Sequence, residues 1–245
     1  MGVYVLVHPA WFGGWCWQKV DTLLRAAGHR VYTPTLTGLG ERAHLASPEV
    51  GLSTHVDDVA GTLVFEDLRE AVLVGNSSAG AVITGVAARA PERVDRVVYL
   101  DAFVPADGES VLELIPPERR EVMQTLVETE GNGWALPRFA EAPWDTFVPG
   151  AWNVADEADL RWILPRLRPT PFRHFSEPLR AEPRGDEKPR HVYVRCRGWP
   201  HPRFDRYASR AGSSPDWDLY ELEGSHLPYV TAPDDLTALL LEIAS

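Results

Sequence analysis

Residues 72–80 read Val72-Leu73-Val74-Gly75-Asn76-Ser77-Ser78-Ala79-Gly80. The apolar run Val72-Leu73-Val74 suits a strand covered on both faces. A Gly-x-Ser-x-small stretch follows, and Ser78 to Ala90 stays small and apolar until Pro91, as a buried helix would. A serine between such a strand and helix sits on a sharp, strained turn that exposes its hydroxyl. The helix N-terminus then offers N–H groups and positive potential to a developing anion. Ser77 is therefore the candidate nucleophile. The usual pattern has Gly where this chain has Ala79, so the strand-before, helix-after context carries the assignment. Ser78 is a rival one residue on. Gly75 is correctly spaced only from Ser77, which leaves Ser78 to lend its backbone N–H.

Outward from this turn, strands and helices alternate. Val3 to His8, Arg30 to Leu36, Ala71 to Val74, Val94 to Leu100, His191 to Cys196 and Asp218 to Leu222 read as six strands. Trp15 to Ala27 reads as a helix with Leu23, Leu24 and Ala27 on one face and Gly28 as its stop. Ser53 or Thr54 caps another that runs to about Glu66, and Asp234 to Ala244 closes the chain as an amphipathic helix. Such alternation predicts an α/β fold with a mostly parallel six-stranded sheet and helices on both faces. Pro105 to Pro189 breaks the rhythm. It lacks a convincing strand, is rich in Pro, and holds Trp134, Trp144, Trp152 and Trp162. Plain connections are far shorter. Residues 105–189 are thus expected to be an inserted helical cap, on a core of residues 1–104 and 190–245. Pro183 to Pro189 would be the exposed return linker.

Composition narrows the function. A chain of 245 residues, 44% hydrophobic and 24% charged, suits one large domain. A net charge of -11 argues against nucleic acid or an anionic membrane surface as partner. No apolar run is long enough to span a bilayer and no signal peptide precedes Val3, so a cytoplasmic location is expected. Cys16 and Cys196 form no metal-binding pattern, and no metal or other cofactor is expected. A small-molecule substrate is expected, and a homodimer is compatible with the chain.

The base for Ser77 must be a histidine. Of eight, only His226 lies just past the last strand, in Glu223-Gly224-Ser225-His226-Leu227-Pro228. The loop His8-Pro9-Ala10-Trp11-Phe12-Gly13-Gly14 after the first strand is placed to supply an oxyanion donor. Pro9 has no N–H, so Ala10 N–H is the candidate, with Ser78 N–H beside it. His44 and His55 read as capping or packing residues, and His174 as a cap residue within reach of substrate.

These stretches resemble the α/β-hydrolase family of plant methyl esterases and hydroxynitrile lyases, with their bacterial esterase relatives. The likeness rests on residues 8–17 (HPAWFGGWCW), 36–42 (LTGLGER), Gly75-Asn76-Ser77, 99–105 (YLDAFVP) and Gly224-Ser225-His226. It implies a cofactor-free enzyme acting on small esters or related compounds in an apolar pocket under a helical cap. The chain departs from that family in three ways. Asn76 replaces its usual His before the serine and Ser78 its apolar or aromatic residue after it, which predicts a more polar pocket floor. Pro9 and Leu227 stand where the lyases have Thr and Lys, which disfavours lyase chemistry. No carboxylate occurs in 197–202 (RGWPHP), where the family's acid lies, and Trp199 takes its place. Asp101, ending the preceding strand, is the candidate acid, and Asp205 a weaker one.

The expectation is a serine hydrolase cleaving a small apolar or aromatic ester, or a lactone, with Ser77, His226 and Asp101 as triad and Ala10 and Ser78 as oxyanion hole. His8, Trp11, Asn76, Trp134, Trp152 and Leu227 would line the substrate site. Two alternatives remain open on this reading. One is a non-hydrolytic lyase or cyclase of secondary metabolism, and the other a binding protein that turns nothing over.

Overall fold

Alternate residues of the central strands feed opposite cores, which is why these runs are apolar at consecutive positions. Val5, Val7, Leu73, Val97, Tyr99 and Tyr193 pack on one side, and Tyr4, Leu6, Val72, Val74, Val98 and Val194 on the other. They belong to strands β1 Val3–Val7, β2 Arg30–Tyr32, β3 Ala71–Asn76, β4 Val94–Leu100, β5 Arg190–Cys196 and β6 Trp217–Leu222. The strand order is β2-β1-β3-β4-β5-β6, with each neighbouring pair parallel. The computed structural model describes residues 1–138, 152–182, 189–199 and 202–245.

The longer helices are α1 Gln18–Ala26, α2 Leu52–Phe65, α3 Ala79–Arg89, α4 Pro117–Thr129, α5 Glu157–Ile163, α6 Pro202–Gly212 and α7 Pro233–Ile243. Residues of α2, α3 and α6 join the first core, and those of α1 and α7 the second. The sheet is therefore covered on both faces, as its sequence pattern requires. The strand order switches sides between β1 and β3. Ligands of open α/β sheets bind beyond the carboxyl ends of the strands at such a switch, and Ser77 directly follows β3 there.

Local boundaries differ from the sequence expectation for identifiable reasons. β2 stops at Tyr32, short of Leu36, because Pro34 has no N–H for the ladder and Leu36 N–H is turned to His8 Nε2 at 3.0 Å. Residues Gly14–Trp17 wind as a tight 3-10 turn, so α1 starts later and buries Val20 and Leu24 while Ala27 is exposed. Gly51, not Ser53 or Thr54, precedes α2, and Thr54 Oγ1 accepts from Gly51 N–H at 3.3 Å.

None of the six sheet strands comes from residues 105–189. That interval contributes α4, α5 and a small antiparallel ribbon, Ala135–Leu136 with Thr170–Pro171, which the sequence did not announce. Trp144 and residues 183–188 of the expected return linker lie outside the described residues. Among the described residues no helix is long and apolar enough to cross a membrane.

Candidate active site

Ser77 has φ +56°, in the left-handed region that a non-glycine residue enters at a cost of about 1–3 kcal/mol. Neighbouring backbone over-determines this turn. Ser77 N–H donates to Leu100 O at 3.3 Å, and Ser77 O accepts from Phe103 N–H at 3.0 Å and Gly80 N–H at 3.2 Å. A Cβ at Gly80 would stand 1.9 Å from Phe103 O. The turn's strict demand for glycine thus falls at position 80, and the fully buried Ala79 is tolerated where the usual pattern has Gly.

The backbone of β4 also turns sharply at its end, with Asp101 at φ +42°. Asn76 and Leu100 are register partners in adjacent strands, so Ser77 and Asp101 leave the sheet side by side. Asp101 Oδ2 is 3.2 Å from His226 Nδ1. Asp101 Oδ1 accepts from Arg195 Nη1 at 2.9 Å and Cys196 N–H at 3.0 Å, and Oδ2 is also 3.2 Å from the same Arg195 nitrogen. With its oxygens used as acceptors, Asp101 takes the proton of His226 Nδ1 in hydrogen bond and leaves Nε2 as the free lone pair. Burial lowers the pKa of His226, Asp101 pulls it back up, and Arg203 and Arg195 push it down.

Trp199 stands where the resemblance puts an acid, and its ring packs on His226 with centroids 4.1 Å apart. Phe204 stacks on the same imidazole at 5.4 Å. Asp205 is turned away to Arg195 Nε at 2.9 Å, with its side chain about half exposed. Arg195 is 2% exposed, and it also donates to the carbonyls of Cys196 and Trp199.

The two expected oxyanion donors meet, with an unexpected connection. Ala10 N–H donates to the Ser78 side-chain oxygen at 3.0 Å, both residues being buried. The expectation gave Ser78 only a backbone role.

Four expected substrate contacts are placed otherwise. His8 Nε2 accepts from Leu36 N–H, so Nδ1 carries the hydrogen and donates to Pro9 O at 2.8 Å. Its ring pins two loops together. Burial is the main reason its pKa falls to about 4. Asn76 is fully buried, and its amide nitrogen donates to Leu100 O at 2.9 Å and His226 O at 3.1 Å. Its oxygen accepts from Tyr229 OH at 3.1 Å. Asn76 therefore ties the elbow to the His226 loop, with both ends of its amide engaged by the protein. Trp134 faces a separate surface cavity of about 340 Å³, shared with Gly38, Ala43 and Pro169. His174 Nδ1 pairs with His55 Nδ1 at 2.9 Å, and His55 Nε2 lies 2.9 Å from Thr37 O, so these rings fasten residues 173–176 to α2.

Trp152 and Leu227 lie beside His226, the first through its carbonyl and the second as the next residue in the chain. The Trp152 carbonyl accepts from His226 N–H at 3.0 Å, and both side chains are nearly fully buried in the second core. Trp11 packs its ring 6.5 Å from Trp152 and 5.7 Å from Phe175, centroid to centroid. A cavity of about 600 Å³ at the opposite ends of the strands, walled by Tyr99, His191 and Trp217, includes no triad candidate. Among the described residues no three His, Cys, Asp or Glu side chains cluster to hold a metal ion.

Sequence reading missed Arg195 and Tyr229. The first had a signal: a cation beside Val192, Val194 and Cys196 on a buried strand requires a buried partner. Tyr229 had none, since its role depends on Asn76 from a distant strand.

A six-stranded parallel sheet with a serine elbow after β3 and a late histidine defines an α/β-hydrolase. The chain matches the alpha/beta hydrolase family over residues 4–239 and belongs to it. It is 36% identical over 244 residues to a carbendazim hydrolyzing esterase from Nocardioides sp. (strain SG-4G), covering 98% of each chain. It is 27% identical over 258 residues to a putative chloroplastic methylesterase of Arabidopsis thaliana, spanning 98% of this chain and 56% of that relative. An extracellular alpha/beta-hydrolase from a Paenibacillus species superimposes with a TM-score of 0.83 at 24% identity, covering 99% and 98% of the two chains, a likeness of fold.

Proposed function

We propose that the chain hydrolyses a small apolar or aromatic ester, or a lactone, through an acyl-enzyme on Ser77. The observation that carries this reading is the Asp101–His226 contact of 3.2 Å at the strand end next to the elbow. His226 Nε2 takes the Ser77 proton as Ser77 Oγ bonds to the carbonyl carbon. The same proton passes to the departing alkoxide as the C–O bond breaks. A water then gives a proton to His226 as it attacks the acyl carbon, and His226 passes that proton to Ser77 Oγ as the acyl C–O bond breaks and the acid leaves. Asp101 holds the imidazole in the required tautomer and stabilises its charged form.

The described parts of residues 105–189 are read as the cap over this site, with Trp11, Trp152 and Leu227 as the site's apolar wall. Kinship with a bacterial esterase supports ester chemistry. The Asp101–His226 contact favours hydrolysis over the alternative of a non-hydrolytic lyase or cyclase, which a chain without an acid partner for His226 would suit better. Buried free thiols at Cys16 and Cys196 suit the reducing cytoplasm.

Two measurements test this. A serine-directed phosphonate should add once, at Ser77, by peptide mass spectrometry. Ser77→Ala should lose turnover of an activated aryl ester. Full activity in that variant rejects the proposal.

A further inference from the structure

Ala10 N–H reaches the Ser78 hydroxyl oxygen at 3.0 Å in a buried setting. An N–H carries a single hydrogen, so this one is engaged before any substrate arrives. A hydroxyl has one hydrogen and two lone pairs. With a lone pair taken by Ala10, the hydrogen of Ser78 Oγ finds no acceptor among the described residues. A buried hydroxyl in this state, one residue from the nucleophile, is a donor awaiting an acceptor.

We infer that the Ser78 hydroxyl, and not Ala10 N–H, meets the carbonyl oxygen of the substrate, with Ala10 N–H polarising it from behind. This rests on Ser77 being the nucleophile. As Ser77 Oγ bonds to the carbonyl carbon, the C=O pair moves onto oxygen, and Ser78 O–H donates to that anion without giving up its proton. A hydrogen bond accepted from Ala10 strengthens the one Ser78 donates. Ser78 is also the N-cap of α3, so its backbone N–H and the positive end of an 11-residue helix act on the same oxygen. The oxyanion hole is then concentrated on one residue. The apolar or aromatic residue that the resemblance puts at this position has no hydroxyl to offer.

The competing role is a plug, in which the hydroxyl must leave before Ala10 N–H binds the oxyanion. Steady-state kinetics of p-nitrophenyl acetate hydrolysis by wild type, Ser78→Ala and Ser78→Thr separates the two. Phosphonate labelling of Ser77 and thermal unfolding are run alongside. If Ser78 is the donor, Ser78→Ala remains folded and labelled while kcat falls about 10²-fold with little change in KM, and Ser78→Thr restores most of the loss. A Ser78→Ala kcat equal to or above wild type overturns the inference. Failure of the wild type to label at Ser77 overturns the nucleophile reading, and this inference with it. If Ser78→Ala does not fold, a crystal structure of the wild-type phosphonate adduct decides. A phosphoryl oxygen within hydrogen-bond reach of Ser78 Oγ supports the inference. One on Ala10 N–H, with Ser78 Oγ rotated away, refutes it.

Discussion

Asp101 Oδ2 lies 3.2 Å from His226 Nδ1, on the strand that neighbours the one ending at Ser77. Asp101→Asn should lower kcat by about 10³–10⁴-fold, because the amide favours the wrong imidazole tautomer. It should also cost about 3 kcal/mol of stability, because the buried Arg195 then loses its buried counter-ion and keeps only the half-exposed Asp205. Asp205→Asn should retain kcat within about threefold, since Asp205 is half exposed and bonded to Arg195. Kinetics with urea unfolding on both variants decides. Loss of activity in Asp205→Asn alone would move the acid to α6.

The pH profile should show His226 at work. Its neutral form is the base, and burial lowers its pKa below the ordinary 6.5. The kcat/KM of an activated ester should therefore rise with pH to a plateau reached by neutrality, with the midpoint of the acid limb below 6.5. A midpoint above that value contradicts the assignment.

Asn76→Ala should destabilise the chain by roughly 2 kcal/mol, because His226 O and Tyr229 OH lose its amide in the interior and Leu100 O keeps only the donor Ser77 N–H. It should lower kcat too, as the His226 loop loses its tie to the elbow. Urea unfolding reads the first effect. A variant as stable as wild type would mean that these groups find other partners.

Two glycine substitutions should act in opposite directions. Gly80→Ala drives a methyl group into the Phe103 carbonyl, at 1.9 Å, and should cost about 3 kcal/mol or more. Gly61→Ala meets nothing within 4 Å inside α2 and should stabilise by about 0.5–1 kcal/mol. Their unfolding midpoints, compared side by side, check the elbow packing against simple helix propensity.

Stability should fall between pH 6.5 and about 4. His8 has its pKa lowered to about 4 by burial, so in this window the unfolded chain binds a proton that the folded chain does not. Stability therefore rises with pH across the window, and His8 alone accounts for about 3 kcal/mol. His55 and His174 are also shifted downward by burial and act with the same sign. Urea midpoints against pH for wild type and His8→Gln should give a shallower slope in the variant. Equal slopes would remove His8 from the account.

The parts legible in the sequence were those set by local pattern. Val72-Leu73-Val74 followed by Gly-x-Ser fixes strand, turn and helix from residues a few positions apart. His226 was found by chain order alone. What escaped depends on partners far along the chain. Asn76 is polar and beside the nucleophile, which suggests a pocket residue, yet its three partners lie on Leu100, His226 and Tyr229. His8 follows β1, where site residues are expected, but the early end of β2 frees Leu36 N–H to capture its ring. The ribbon at 135–136 and 170–171 is too short for any periodicity to register.

Placing Ser77 and Asp101 on register-paired strands has a consequence for how such an enzyme can change over time. Both groups are encoded within one continuous β-α-β unit. Recombination or grafting would carry that unit whole, bringing two of the three proposed catalytic groups already aligned. If Asp101 is the acid, as proposed, no carboxylate is needed after β5, and Trp199 there has only to back the His226 ring. On the proposed reading, residues between β4 and β5 can be exchanged without separating Ser77 from Asp101.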